Sequence, residues 1–288
     1  MQAPDTEMFY LQRGALTAAG GITLTTGAHE LDEQDVPNTF LYTRGSDGHW
    51  KIMLQEWGAV SLCALTDGIM VVGEDGDFLQ VDTQHRILAQ GVIEGSSPRA
   101  VAQIGETVFL AGMCGDFYRY EARGGWSKQA FESPFSRDVE AIAGIDAEDF
   151  YSVGWTGGIN RHIGSVTAEI EPLTNLVLAS VCVNTSGRVY ACGQRGVILS
   201  GQEDEWKVVC ADSTEEDLWS ISAFRDEIYV ASITSLYRLD GDSLIRVDFD
   251  GEPVASCYHL STLRDERLLS TGREDVMVFD GSAWERVV

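Results

Sequence analysis

The sequence of 288 residues lacks the features that mark several large classes of protein. It has only 20 Lys and Arg against 45 Asp and Glu, a formal net charge of −25, so the basic surface that nucleic acid binding requires is missing. No segment approaches the roughly 20 consecutive apolar residues of a membrane-spanning helix. The first residues, Met1 to Glu7, contain no basic and no apolar segment, so we expect no secretory signal. These absences predict a cytoplasmic protein that binds neither nucleic acid nor a membrane.

The sequence also lacks recognisable catalytic and metal-binding motifs. None of the six cysteines forms a Cys-x-x-Cys pair, and most lie in apolar runs such as Leu62-Cys63-Ala64, so we expect buried thiols rather than disulfides or a zinc site. The five histidines are scattered along the chain without metal-ligand spacing. A Gly-x-Ser-x-Gly elbow and a phosphate-binding loop are both missing. We therefore expect no catalytic residues, no metal and no cofactor.

What the sequence does contain is a repeat. An apolar, strand-like run ends in Gly and is often followed three residues later by a second Gly. The leading positions of six copies are Gly73, Gly112, Gly154, Gly193, Ser232 and Gly272, which are 39, 42, 39, 39 and 40 residues apart. Short apolar runs separated by turn residues fill each period, and no helix-length amphipathic segment interrupts them. A four-stranded unit of about 40 residues is the blade of a β-propeller.

Six copies predict six blades, and the first 55 or so residues supply a seventh. The extra length of this first blade falls in an acidic insertion at residues 29–36. We predict an all-β, seven-bladed β-propeller of four-stranded antiparallel blades, as a single domain spanning residues 1–288. Its blades lie approximately at residues 5–56, 57–96, 97–136, 137–175, 176–215, 216–254 and 255–288. The first blade should pack on the seventh without exchange of a strand. Trp50, Trp126, Trp206 and Trp284, at one position of alternate blades, are expected to pack on outer strands.

The Gly-x-x-Gly hairpins, the apolar-x-apolar strands that follow them and the outer strands resemble the YVTN/BNR-type propeller repeats. That family includes photosystem II stability and assembly factors. The resemblance covers nearly the whole chain and implies the same fold. However, the Asp-box of the BNR repeats, Ser-x-Asp-x-Gly-x-x-Trp, has no complete copy here, and residues 46–50 form only a shortened echo of it. Because one fold hosts many functions, the resemblance implies no function.

Propeller geometry predicts where a partner would bind. In such a fold, the loops between the second and third strands of a blade emerge on the same face as the loops leading to the next blade. On this face, aromatic and arginine side chains within a polar rim are typical of binding hot spots. The predicted partner-binding residues are Trp57, Glu74, Asp75, Phe135, Arg137, Trp155, Arg195, Asp217, Arg273 and Glu274. For Trp57 and Trp155, packing between blades is the competing interpretation.

Two functional hypotheses follow. The first is a non-enzymatic, protein-binding propeller, and specifically a bacterial immunity-type protein that neutralises a basic toxin by direct binding, because strong acidity attracts basic partners over long range. The alternative is a propeller enzyme or lectin-like module that acts on a glycan or small molecule in the central channel. A sialidase would need converging arginines, for which Arg137, Arg195 and Arg273 are available, but the missing Asp-boxes weaken that interpretation.

Overall fold

The computed structural model describes residues 2–17, 20–131, 138–210, 213–263 and 266–288. Over these ranges the chain forms seven four-stranded antiparallel sheets, each built from four consecutive strands. They are the seven blades of a β-propeller, so the predicted fold class is confirmed. None of the helices in these ranges is long and apolar enough to cross a membrane.

The strands of blades 1 to 4 are β1 Phe9–Leu16, β2 Ile22–Ala28, β3 Thr39–Arg44, β4 Trp50–Gln55; β5 Ala59–Leu65, β6 Gly68–Gly73, β7 Asp77–Asp82, β8 Ile87–Val92; β9 Pro98–Ile104, β10 Thr107–Gly112, β11 Phe117–Glu121, β12 Gly125–Lys128; β13 Val139–Asp146, β14 Asp149–Gly154, β15 Ile159–Ile163 and β16 Val166–Ile170. Those of blades 5 to 7 are β17 Leu178–Val183, β18 Val189–Gly193, β19 Ile198–Gln202, β20 Glu205–Val209; β21 Ser220–Phe224, β22 Glu227–Ala231, β23 Leu236–Asp240, β24 Ser243–Arg246; β25 His259–Leu263, β26 Arg267–Thr271, β27 Val276–Phe279 and β28 Trp284–Arg286. One short helix, α1 His29–Asp32, lies between β2 and β3.

The chain forms two compact units. The first comprises residues 1–94, 233–235 and 247–288, and therefore contains blades 1, 2 and 7. Within it, the first blade packs directly on the seventh: the N–H of Leu11 donates to the carbonyl of Arg273 at 2.9 Å, and Leu16 and Leu24 share a core with Leu269. No strand is exchanged, because β25 to β28 supply the whole seventh sheet. The expected packing of the first and seventh blades is confirmed.

The second unit comprises residues 95–232 and 236–246 and contains blades 3 to 6. Its apolar cores are built from neighbouring blades, as where Val153 and Ile159 of blade 4 pack with Val181 of blade 5. In both units the second strand of a blade is the most buried. All six residues of β6 are buried, which explains the continuous apolar run of its sequence.

The glycine of the repeat is required by a close approach of two backbone segments. A Cβ atom on Gly193 would lie 2.0 Å from the carbonyl oxygen of Val177, and the N–H of Gln194 donates to that same oxygen at 3.0 Å. Equivalent positions are equally crowded, with a Cβ 1.9–2.1 Å from a carbonyl oxygen at Gly112, Gly154 and Gly272. Glycine therefore recurs at these positions because the end of the second strand passes very close to the backbone at the start of its own blade.

The four periodic tryptophans have the packing role expected of them. Each lies on the outermost strand of its blade beside an aromatic ring. The ring pairs are Trp50 with Tyr42, Trp126 with Tyr120, Trp206 with Tyr151 and Trp284 with Phe279. Such pairs stabilise the outer edge of a blade, where only one side of the strand meets another strand.

Candidate partner-binding site

Trp57 follows β4 and is half-buried. Its ring packs against the core of blades 1 and 2, which includes Leu41 and Leu62, and its Cε3 lies 2.9 Å from where a Cβ on Gly73 would be. The carbonyl of Trp57 accepts a hydrogen bond from Thr39 Oγ1 at 2.8 Å. Trp57 thus packs between blades 1 and 2 while part of the residue stays exposed.

Glu74 and Asp75 form the turn between β6 and β7 and are both exposed. The turn ends at Gly76, whose φ of +94° lies in the left-handed region that favours glycine. Its N–H donates to the carbonyl of Gly73 at 3.3 Å. A short, closed turn thus presents two adjacent carboxylates to solvent, as the sequence predicted.

Arg273 belongs to a cluster that sequence reasoning missed. Its guanidinium lies over the ring of Tyr10, with Cζ 5.1 Å from the ring centroid. The Tyr10 hydroxyl donates to Asp32 Oδ1 at 3.3 Å, and the ring of His29 lies 5.4 Å from that of Tyr10. Burial, together with the negative charge of Asp32, raises the pKa of Tyr10. We call Tyr10, His29, Asp32 and Arg273 the Tyr10 cluster.

The Tyr10 cluster is assembled by the first-blade insertion and by the contact between blades 1 and 7. Helix α1 brings His29 and Asp32 over Tyr10, and the N–H of His29 donates to the carbonyl of Met8 at 3.0 Å. Met8 and Val36 at its border expose 57% and 44% of their surface. The acidic insertion at residues 29–36 was the one sequence feature that pointed to this cluster. From the sequence alone, however, it accounted only for the extra length of blade 1. Next to Arg273, Glu274 is exposed, and its N–H donates to Ser256 Oγ at 3.0 Å.

In the second unit, Trp155 opens the turn between β14 and β15 and exposes 44% of its surface. Its indole Nε1 donates to Glu140 Oε1 at 2.7 Å. The same carboxylate oxygen pairs with Arg99 Nη2 at 3.2 Å. Trp155 is thus oriented by a hydrogen bond while a large part of the residue is exposed to solvent.

Arg195 and Asp217, both predicted partner-binding residues, contact each other directly. Asp217 Oδ1 accepts the backbone N–H of Arg195 at 2.8 Å, which holds Arg195 at a left-handed φ of 52°. Cys114 makes the same contact with Asp138 at 2.7 Å and has φ 57°. The carboxylate of Asp217 therefore stabilises the turn, and the Arg195 side chain is exposed beside it. Phe135 and Arg137 lie outside the described residues.

A hydrogen-bonded Ser–His pair occurs in blade 4, where Ser152 Oγ lies 2.9 Å from His162 Nε2. Thr167 Oγ1 lies 3.0 Å from the other ring nitrogen. Both residues of the pair are fully buried, and burial lowers the pKa of His162 to about 3. A neutral, weakly basic imidazole that no substrate can reach does not fit the role of a general base. The pair instead links two strands of the core.

Across the described ranges, no three His, Cys, Asp or Glu side chains are grouped so that they could hold a metal ion. Cys182 and Cys192 are buried free thiols, as expected, and burial raises the pKa of Cys182 to about 12. Cys114, in contrast, is an exposed free thiol. It lies on the turn after β10 rather than within a strand, which is why the expectation of burial is wrong for it.

Rigid blades that present anchored aromatic and arginine side chains on short turns define a β-propeller suited to protein binding. Solved propellers share the fold. YCF48 from Cyanidioschyzon merolae superposes with a TM-score of 0.71 at 12% identity, over 96% of this chain and 97% of that one. Virginiamycin B lyase from Staphylococcus aureus superposes with a TM-score of 0.72 at 11% sequence identity, over 95% of this chain and 94% of the lyase. The structure of YCF48 bound to D1 peptide gives a TM-score of 0.71 at 14% identity, over 98% of this chain and 96% of that one.

At these identities the likeness concerns the fold alone, and at that level it confirms the resemblance to photosystem II assembly factors. No family model matches the chain. Over 278 residues, however, the chain is 32% identical to the immune protein Tsi7 of Pseudomonas aeruginosa, with 90% of each protein covered. The chain therefore belongs to the family of the immune protein Tsi7. The hypothesis of an immunity-type protein is confirmed at the level of this family.

Proposed function

We propose that this protein is a cytoplasmic immunity protein that neutralises a protein toxin with a basic surface by binding it directly. The observation that carries the proposal is the 32% identity to the immune protein Tsi7 over 90% of both chains. The net charge of −25 supports a basic partner, since charge complementarity accelerates encounter and excludes like-charged competitors. The same charge argues against nucleic acid as a direct ligand. Free thiols such as Cys114 and Cys182 fit a reducing compartment.

In the first unit, we propose that the toxin contacts the Tyr10 cluster together with Glu74, Asp75 and Glu274. Arg273 is held over an aromatic ring before any partner arrives, so little side-chain freedom is lost on binding. Tyr and Arg are enriched among hot-spot residues, and the carboxylates of Glu74 and Asp75 are suited to lysine or arginine side chains. Trp57, which is half-buried and packs against the core of blades 1 and 2, remains part of the proposal through the exposed part of its side chain.

In the second unit, we propose contact through Trp155, Arg195 and Asp217. The hydrogen bond from Trp155 to Glu140 orients a large ring at low entropic cost, which is the property of an anchor. The predicted contacts of Phe135 and Arg137 remain part of this proposal.

Affinity purification from the native host tests the function. A C-terminally tagged chain should retain one stoichiometric partner at low and at moderate salt, and that partner should carry a basic surface. Expression of the partner alone should arrest growth of a sensitive strain, and co-expression with this chain should restore it. A stoichiometric partner that is harmless, or one without a basic surface, would contradict the proposal.

Matched variants then test the surfaces. Trp155→Ala should weaken the complex by about 2 kcal/mol, as expected for a hot-spot aromatic. Ile145→Ala, at a residue that is 60% exposed near the opposite end of blade 4, should leave the affinity unchanged.

Glu74→Lys combined with Asp75→Lys should slow association with the toxin and weaken the salt dependence of the association rate. Asp67→Lys, at another exposed carboxylate on the opposite end of blade 2, is the control. If a variant and its control have equal effects, the toxin does not bind at the ends of blades 2 and 4 that carry Glu74, Asp75 and Trp155.

A further inference from the structure

The outer strand of blade 2 differs from the other outer strands. β8 consists of Ile87, Leu88, Ala89, Gln90, Gly91 and Val92 and carries no charge, whereas each of the other six outer strands in the described ranges contains at least one charged residue. Ile87, Leu88 and Val92 expose 47%, 53% and 58% of their surface. Proteins usually protect exposed edge strands with charged side chains, and in a chain of net charge −25 an uncharged, apolar edge requires an explanation.

The backbone of β8 is oriented for pairing with another strand. The N–H of Ile93 donates to the carbonyl of Gly76 at 2.8 Å, and the β7–β8 register places Phe78 opposite Gly91 and Leu79 opposite Gln90. Because inward and outward hydrogen-bonding residues alternate along an antiparallel strand, the N–H and C=O of Gln90 and Val92 point away from β7. A bulge at Leu88 ends the regular ladder, so the regular edge is Ala89–Val92.

The charges at the two ends of β8 are complementary to each other. Arg86 precedes the strand, with 69% of its side chain exposed, and pairs with Asp82 at 2.7 Å. Glu94 follows the strand and is exposed. The two residues are equally distant from Gln90 along the chain. In an antiparallel pairing of two copies centred on Gln90, Ala89 of one copy lies opposite Gly91 of the other. The Arg86 end of each strand therefore meets the Glu94 end of the other strand.

We propose that β8 is a self-association edge, through which two copies of this chain pair antiparallel around Gln90. An uncharged edge flanked by Arg86 and Glu94 is where two strongly acidic molecules can meet without opposing like charges. Pairing joins two four-stranded blades into one eight-stranded sheet and covers the apolar side chains of Ile87, Leu88 and Val92. Because the edge is short, the dimer belongs to the weak and transient class. This inference does not depend on the immunity function.

Sedimentation and light scattering of the purified chain test the dimer. The mass should rise from 31.5 kDa toward twice that value as the concentration increases, with a dissociation constant on the order of 10 μM. Val92→Lys should raise this constant about tenfold or more, because it places ammonium groups in the apolar contact. Val166→Lys, on the outer strand of blade 4 and 43% exposed, is the matched control and should not. A monomer at all concentrations up to about 0.5 mM, or equal effects of the two variants, would overturn the proposal.

A charge-exchange experiment tests the pairing itself. Gln90 lies on the proposed two-fold axis, so Gln90→Glu or Gln90→Lys alone places two like charges opposite each other, and each variant should be monomeric where the parent chain is dimeric. An equimolar mixture of the two should form a heterodimer of at least parental affinity. If both variants fold, as judged by circular dichroism, and the mixture stays monomeric, the antiparallel pairing around Gln90 is wrong.

Discussion

Replacement of Gly193 by Ala should destabilise the protein more than its one added carbon suggests. Gly193 ends β18 with an extended backbone, φ −170°, so alanine is compatible with the local dihedral angles. The obstacle is space: the new Cβ would lie 2.0 Å from the carbonyl oxygen of Val177 and 2.9 Å from Cα of Leu178. Both obstructing atoms belong to backbone, which cannot rotate aside as a side chain can.

The loss in the free energy of unfolding caused by Gly193→Ala depends on the contacts that must move to make room for the Cβ atom. Relief of the clash requires a shift of about 1 Å between β18 and the start of β17, since carbon and oxygen normally approach to no less than about 3 Å. That shift breaks the hydrogen bond from Gln194 N–H to Val177, now 3.0 Å, at about 1 kcal/mol. Overpacking of a rigid site adds about 1–3 kcal/mol. We expect a loss of about 3 kcal/mol in the free energy of unfolding.

Urea denaturation of the parent chain and of Gly193→Ala measures this loss, and thermal unfolding should show a fall of roughly 6–10 °C. Gly58→Ala is the control, because a Cβ there meets nothing within 4 Å and the reduced freedom of the unfolded chain even favours alanine slightly. If Gly193→Ala costs less than about 1 kcal/mol, the explanation of the repeat by backbone proximity is refuted.

Three further predictions concern titration, thiols and cooperativity. Burial lowers the pKa of His162 from 6.5 to about 3, so its contribution to the free energy of unfolding is complete above pH 6.5 and is lost as the pH falls toward 3. Urea denaturation at pH 7 and pH 4.5 should therefore show a smaller loss of stability on acidification in His162→Gln than in the parent chain, by up to about 1.4 kcal/mol per pH unit; equal losses in the two would contradict the prediction. Cys114 should react within seconds with a thiol reagent in the folded chain, whereas Cys182 should react only on unfolding; simultaneous labelling would contradict their exposures. If the chain is one domain, calorimetry should record a single unfolding transition, and two separate transitions would contradict that prediction.

The number and order of the blades could be predicted because their signals are local. Gly112, Gly154, Gly193 and Gly272 recur at nearly constant intervals because blades 3, 4, 5 and 7 repeat the same backbone approach, which leaves no room for a Cβ atom. The turns that carry Glu74, Asp75 and Arg195 followed from the same repeat, as these residues lie next to the required glycines.

The sequence could not decide which aromatic rings are exposed. Trp57 and Trp155 both lie in short loops after a strand, but Trp57 packs on the core of blades 1 and 2, whereas Trp155 is held at the surface by Glu140. Burial depends on neighbours that are distant in sequence, and those neighbours are defined only once the blades have packed. The Tyr10 cluster shows this most directly, because Tyr10 and Arg273 come from nearly opposite ends of the chain.

The blade repeat, the strong acidity and the turns that carry polar residues thus follow from residue type and spacing alone. The remaining features depend on how the blades pack. Packing placed Arg273 over Tyr10, made Asp217 a ligand of the Arg195 backbone and left β8 as an uncharged edge. Each of these depends on the distance between groups that only packing brings together, and distance determines whether a charged or aromatic side chain stabilises the fold or remains available to a partner.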